Sequence, residues 1–232
     1  MGNSIALVTG ANKGIGKEIA RQLAGAGLTV YVGSRDAVRG ERAVEEIGGD
    51  ARPLVLDVTD AASIAGAASQ VGTLDILVNN AGVSGDGKTP DAEDLGTFRR
   101  IYETNVFGVV AVTNAFLPAL RRSAHPRIVN ISSGTGSLAT AAGQDTAAFA
   151  AYRSSKTALN MLTVLYAKGL AADGVKVNTL APGLRRTDLN SRAAASDGDP
   201  AEAAAGAVRL ALLPDDGPSG EFFSWDGTPV PW

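Results

Sequence analysis

The chain has 232 residues, 45% of them apolar, with 24 acidic and 21 basic side chains and a formal charge of -3. That supplies enough apolar mass for one α/β core, while so small and interspersed a charge excludes an electrostatic footprint for nucleic acid or an anionic membrane. The absence of cysteine and the single histidine, His125, exclude disulfides, thiolate chemistry and a zinc cluster.

The start, Met1-Gly2-Asn3-Ser4, runs into an apolar segment without the charged beginning of a secretion signal, and Ala6 stands where a myristoylation signal needs Ser or Thr. No apolar run approaches the roughly 20 residues that span a bilayer. These features predict a soluble, cytoplasmic protein.

Short apolar runs at residues 5–8, 29–32, 52–56, 76–78, 127–131, 175–180 and 221–225 alternate with helical stretches. Seven strands joined by helical crossovers predict a doubly wound, Rossmann-type α/β fold with a seven-stranded parallel sheet, in one domain over residues 1–232. Residues 193–205, rich in Ala, Ser, Asp and Gly, are predicted to be flexible within a small substrate-loop region at about 184–205. A doubly wound sheet binds ligand outside the carboxyl ends of its strands, so residues just after each strand are the first candidates.

After the first strand comes Thr9-Gly10-Ala11-Asn12-Lys13-Gly14-Ile15-Gly16, followed by a helical segment with Ile19, Ala20 and Leu23 on one face. Glycines at 10, 14 and 16 allow a tight turn and bring backbone close to a pyrophosphate, whose charge suits a helix start. After the second strand, Ser34 stands where an acidic residue would hold the 2'-hydroxyl of NAD, and Arg35 offers a fork of donors for a 2'-phosphate. Lys13 adds a second positive charge, so the pattern favours NADP.

Asp57, closing the third strand, can accept from an adenine amino group with Val58 packing near the ring; equally, the segment can cap the next helix through Thr59 or Asp60. After the fourth strand, Asn79-Asn80-Ala81-Gly82 supplies small and amide residues where backbone would pass a ribose. Asn105 lies within an amphipathic stretch at 95–120. Its side chain can interrupt the helix and hold a water linking Lys156 to solvent, or bond neighbouring backbone.

Ile131-Ser132-Ser133-Gly134 ends the fifth strand. A hydroxyl there can donate to a carbonyl oxygen and steady the charge growing on it, although strand alternation leaves Ser132 and Ser133 equivalent. Tyr152 and Lys156 stand four apart at the start of a long helical segment. They share a face, and an ammonium beside a phenol favours the phenolate.

Together these motifs resemble the short-chain dehydrogenase/reductase family over essentially the whole chain: Thr9-Gly10-x-x-x-Gly14-x-Gly16, Asn79-Asn80-Ala81-Gly82, Asn105, Ser133, Tyr152-x-x-x-Lys156, and Pro182-Gly183 followed by Thr187. The resemblance implies that Tyr152 is the general acid in reduction and that Lys156 binds the nicotinamide ribose and lowers the tyrosine pKa. It assigns the substrate oxygen to Ser133, a water-linked proton relay to Asn105, and the cofactor carboxamide to Thr187. It also implies a backbone contact from Ile15 to the phosphates, and Asn79 and Val106 near the adenosine ribose.

Asn12-Lys13, Ser34-Arg35-Asp36 and Leu210-Ala211-Leu212-Leu213-Pro214 look most like the NADPH-dependent carbonyl reductases. The expected partner is therefore a small-molecule ketone, aldehyde or quinone, or the corresponding alcohol. Residues 134–151 form a segment longer than the common family pattern and shorter than the insertion of the animal carbonyl reductases. The helical faces at 95–120 and 152–170 are thus available for a homodimer or homotetramer. Arg185 and Arg186, near the pocket mouth, are read as solvated loop charges in preference to a site for an acidic substrate. Two other functions share this fold: an NADP-binding sensor or scaffold, and an alcohol dehydrogenase working in the oxidative direction.

Overall fold

The computed structural model describes residues 4–232; the expectation resting on Met1 to Asn3 falls outside them. The sheet has seven strands in the order β3-β2-β1-β4-β5-β6-β7: β1 (Ile5–Val8), β2 (Thr29–Ser34), β3 (Ala51–Val55), β4 (Ile76–Asn79), β5 (Arg127–Ile131), β6 (Lys176–Ala181) and β7 (Phe222–Ser224). Every neighbouring pair is parallel, with Leu7 opposite Tyr31 on one side and Leu77 on the other. The central strands read as unbroken apolar runs because both faces are covered. Leu7 and Leu77 point to one face, Val8 and Val78 to the other, and all four are fully buried.

Helices α1 (Gly14–Gly25), α2 (Ala37–Ile47) and α9 (Pro200–Ala211) cover one face of the sheet. Helices α3 (Ala61–Ser69), α5 (Gly108–Leu120) and α7 (Ala150–Gly169) cover the other, around Phe116. Each of the large apolar side chains fully buried here contributes about 1.5–3 kcal/mol relative to exposure. The strand order reverses between β1 and β4, which opens a crevice at their carboxyl ends.

The stretch at 95–120 is interrupted at Asn105, one of the behaviours open to that residue: α4 (Leu95–Tyr102) passes into a π-helical turn, Glu103–Phe107, before α5 begins. Asn105 sits in the middle of that turn and is fully buried. One expectation is corrected: residues 193–205 are not a flexible loop throughout. After the short helix α8 (Ser191–Ala194), Asp199 caps α9 by accepting from the Ala201 amide, and Pro200 supplies its first turn. The alanines that read as low complexity are strong helix formers, and Ala203 and Ala204 are buried in the core that contains α1.

Candidate active site

A cleft of about 600 Å³ runs along the carboxyl ends of the strands. Its wall at one end is the turn from Gly10 to Gly16, with Ser34, Arg35, Asp57 and Val58. Gly14 has φ +56, a conformation open to glycine, and a side chain on Gly16 would collide with the Asn80 amide and the Gly10 carbonyl. Asn80 braces the turn by donating Nδ2 to the carbonyls of Thr9 (2.8 Å) and Gly10 (3.2 Å).

Helices α2, α3, α4, α8 and α9 each begin with an Asp or Asn side chain accepting from a first-turn amide: Asp36, Asp60, Asp94, Asn190 and Asp199. Helix α1 has no side-chain cap and no acidic residue in its first turn. Its free amides and positive dipole end face the cleft, as an anion site requires. The residues present therefore fit a dinucleotide phosphate.

Around this turn the expected residues divide. Asn12, Lys13, Ile15, Ser34, Arg35, Asp57, Val58, Ala81, Gly82, Pro182 and Thr187 line the cleft with Gly10, Gly14 and Gly16. Asn79, Val106 and Gly183 do not. Asn79 is buried, and its Nδ2 donates to Thr113 Oγ1 on α5 and Asn130 Oδ1 on β5, so its neighbour Asn80 takes the wall position. Val106 packs inward on the π turn, and Gly183 lies against the Trp225 ring.

Lys13 is not a free cation, since it pairs with Asp188 at 3.0 Å, although both side chains are largely exposed. Ser34 turns its hydroxyl to the Asp36 carbonyl at 2.8 Å. Asp57 accepts from the amide and hydroxyl of Thr59, while Asp60 caps α3. The Thr59 amide holds the Asp57 carboxyl below its usual pKa range, aided by the Thr59 hydroxyl and the Arg35 charge.

At the other end, Tyr152 and Lys156 lie one turn apart on α7, both in the cleft wall. Lys156 is 4% exposed and donates Nζ to the Ile131 carbonyl at 2.8 Å, with the ammonium 5.7 Å from the Tyr152 ring centre. Burial pushes its pKa down to about 8. The Tyr152 phenol, expected to be acidified by that ammonium, goes the other way: burial pushes it up to about 12, opposed by a hydrogen bond from Ser133. With the ammonium turned to a carbonyl, desolvation dominates and the phenol holds its proton.

The two serines differ in partner, although it is Ser132 and not Ser133 that lies in the cleft wall. Ser132 is buried and gives its hydroxyl to Asn160 Oδ1 at 2.6 Å, whereas Ser133 stands beside the Tyr152 hydroxyl. Asn105 spends its whole amide on protein: Oδ1 accepts from Val83 N (2.9 Å), and Nδ2 donates to Val83 O (2.9 Å) and Ser155 Oγ (3.0 Å). It ties the strip after β4 to α7, which is the backbone-bonding alternative for this residue.

Arg185, read as a solvated charge, is 8% exposed, with its guanidinium 4.3 Å from the Trp225 ring centre and 3.4 Å from Glu202. The flat guanidinium and the indole stack, which anchors the loop after β6. Arg186 remains in the cleft wall.

Sequence reasoning missed several wall residues, among them Arg100 and Thr104 around the start of the π turn and Asp188, and it missed Phe149, outside the wall just before α7. Phe149 adopts a left-handed backbone, φ 60, and lays its ring over Gly87. No spacing rule marks such a residue. Asn80 did carry a signal, as the second residue of the Asn-Asn-Ala-Gly motif.

The model of the short chain dehydrogenase family matches residues 4–198. The chain is 35% identical to (-)-isopiperitenone reductase of Mentha piperita, with 95% of this chain and 96% of that protein covered. It is 33% identical to salutaridine reductase of Papaver bracteatum, at 94% and 93% coverage. Those alignments run over 305 and 293 positions, more than the 232 residues here, so both relatives carry insertions that this chain lacks. Among solved structures, the NADPH-bound carbonyl reductase from chicken fatty liver superposes with a TM-score of 0.88, 30% identity and full coverage of both chains. A glycine turn at an uncapped helix, a half-buried tyrosine one turn from a buried lysine and beside a serine, and these matches lead to one conclusion: the chain is an oxidoreductase of the short-chain dehydrogenase/reductase family.

Proposed function

We propose that this protein uses NADPH to reduce the carbonyl of a small ketone, aldehyde or quinone to an alcohol in the cytoplasm. The observation that carries the reading is the pair Tyr152 and Lys156 in the wall at one end of a cleft, with Ser133 hydrogen-bonded to the Tyr152 hydroxyl, while the other end holds the glycine turn and Arg35. The relatives named as reductases support the direction, and the NADPH in the chicken carbonyl reductase supports the cofactor. Gly10, Gly14, Ile15 and Gly16 would hold the phosphates, Arg35 the 2'-phosphate, and Asp57 and Val58 the adenine. Lys156 and Thr187 would hold the nicotinamide end. Bound there, the reduced nicotinamide supplies the hydride.

The protein's own groups supply the rest. Ser133 donates to the carbonyl oxygen and stabilises its growing negative charge. Tyr152, kept protonated by burial, gives its proton to that oxygen as the carbon is reduced. Lys156, whose pKa of about 8 lies close to neutrality, balances the phenolate and can return a proton to it. Asn105 keeps the Gly82 and Val83 strip against α7, so Tyr152 and Lys156 hold their place. Exposed Phe107, Met161 and Leu165, on the faces singled out in the sequence, support assembly into a homodimer or homotetramer.

The test is a panel of carbonyl compounds with NADPH and with NADH, followed at the nicotinamide absorbance, alongside the Tyr152→Phe variant. NADPH-dependent turnover that disappears in the variant while NADPH binding persists is the expected result. Turnover retained by Tyr152→Phe overturns the role given to the phenol.

A further inference from the structure

The Ser133 hydroxyl has one proton and two acceptor sites, and its use depends on which way that proton points. Ser133 Oγ lies 2.9 Å from Thr135 Oγ1 and also accepts from the Thr135 amide at 3.3 Å, inside the short turn Gly134–Gly136. If Ser133 donated to Thr135, its proton would be spent within the turn and the substrate oxygen would meet only lone pairs. If Thr135 donates, its amide and hydroxyl fill both acceptor sites and the Ser133 proton is left to point at Tyr152 and the cleft. The second arrangement agrees with the donation from Ser133 that opposes the rise of the Tyr152 pKa.

Thr135 is itself held in place from α7. Arg153, the residue after Tyr152, reaches the Thr135 carbonyl with Nε at 3.4 Å, while its other nitrogens bond Thr146 O at 2.9 Å and Gln144 Oε1 at 3.0 Å. One guanidinium thus fastens both ends of the segment 135–146 to the helix carrying the phenol.

We propose that Thr135 is a positioning residue that fixes the direction of the Ser133 hydroxyl, filling both of its acceptor sites so that its single proton is aimed at the substrate oxygen. The proposal rests on the reading of Ser133 and Tyr152 given above. A side chain of the same shape without the hydroxyl leaves Ser133 free to turn.

The experiment compares Thr135→Val, Thr135→Ala and Thr135→Ser with the parent and with Tyr152→Phe, on one substrate found in the carbonyl panel. Thr135→Val and Thr135→Ala are expected to lower kcat about tenfold, the scale of one misdirected hydrogen-bond donor, with a smaller change in KM. NADPH affinity and the melting temperature stay at parent values. Thr135→Ser, which keeps the hydroxyl, returns kcat to within about twofold of the parent. Unchanged kcat in Val and Ala variants that bind NADPH normally overturns the proposal, as does a Ser variant as slow as the Val variant. If Tyr152→Phe is inactive while Thr135→Val is normal, only the Thr135 role fails. If Tyr152→Phe also turns over normally, the reading of the whole site fails.

Discussion

The two ends of the cleft are built in different ways. The phosphate end comes from one contiguous stretch, residues 10–16, and presents mainly backbone: a glycine turn and the uncapped start of α1. The end proposed as catalytic is assembled from side chains on separate segments: Asn105 in a π turn, Ser133 after β5, and Tyr152 and Lys156 on α7. A backbone site tolerates exchange of side chains and fails when volume is added. A side-chain site does the reverse, since losing a single hydroxyl removes a chemical step and leaves the fold intact.

The sharpest break of that contrast is Tyr152→Phe. Removing the proposed general acid lowers turnover by about 10²–10⁴-fold, while NADPH affinity stays close to the parent value in a fluorescence titration. A comparable loss of affinity would mean that the two ends do not act separately. Arg35→Ala cuts the other way. It removes an exposed cation of the cleft wall proposed to meet a 2'-phosphate, so the NADPH dissociation constant rises roughly 10- to 100-fold, the scale of a charge-assisted contact, and that of NADH hardly moves. Equal changes for both cofactors would remove Arg35 from that role.

The same division explains what could be read from the sequence. The seven strands and the glycine turn were legible because they depend on local signals: apolar runs bounded by turn residues, and glycines at fixed spacing. The serine ambiguity was not resolvable locally, because Ser132 is turned inward by Asn160, a residue of α7 far along the chain. Asn79 has the right neighbourhood and the wrong orientation; partners on α5 and β5 hold its amide. The direction of the Tyr152 shift was missed for a related reason. Spacing places Lys156 nearby, but whether charge or burial dominates depends on where Nζ points, and it points to Ile131. Residues 193–205 show composition misleading in the opposite sense, since alanine in a polar context reads as disorder until α1 offers it a surface.

Buried Lys156 also makes stability depend on pH. Its pKa is lowered from 10.5 to about 8, so between these values the unfolded chain holds a proton that the native protein has given up. Stability therefore rises with pH from about 8 upward, until the Tyr152 phenol, raised from 10.0, begins to oppose it. Urea unfolding at pH 8 and pH 10 should show a gain in the parent, relative to Lys156→Met, on the order of 1–3 kcal/mol. A parent and variant that change in parallel would mean that the lysine is solvated in the native protein.

The smallest effect tests the capping contrast directly. Asp199→Ala removes a cap from α9, away from the cleft, and should cost about 1 kcal/mol in unfolding free energy with NADPH affinity unchanged. Lys13→Asp does the opposite at α1: it places an acceptor at the N-cap, where Lys13 already has an extended backbone, and gives the free amides an internal partner. The expected result is a gain of about 0.5–1 kcal/mol in the stability of the protein alone, together with weaker NADPH binding, because the carboxylate occupies the donors that the phosphate needs and repels it. Loss of the exposed pair with Asp188 subtracts little from that gain. The two measurements must move in opposite directions. A variant that is stabilised and still binds NADPH as before would show that the open start of α1 is not where the phosphate is held.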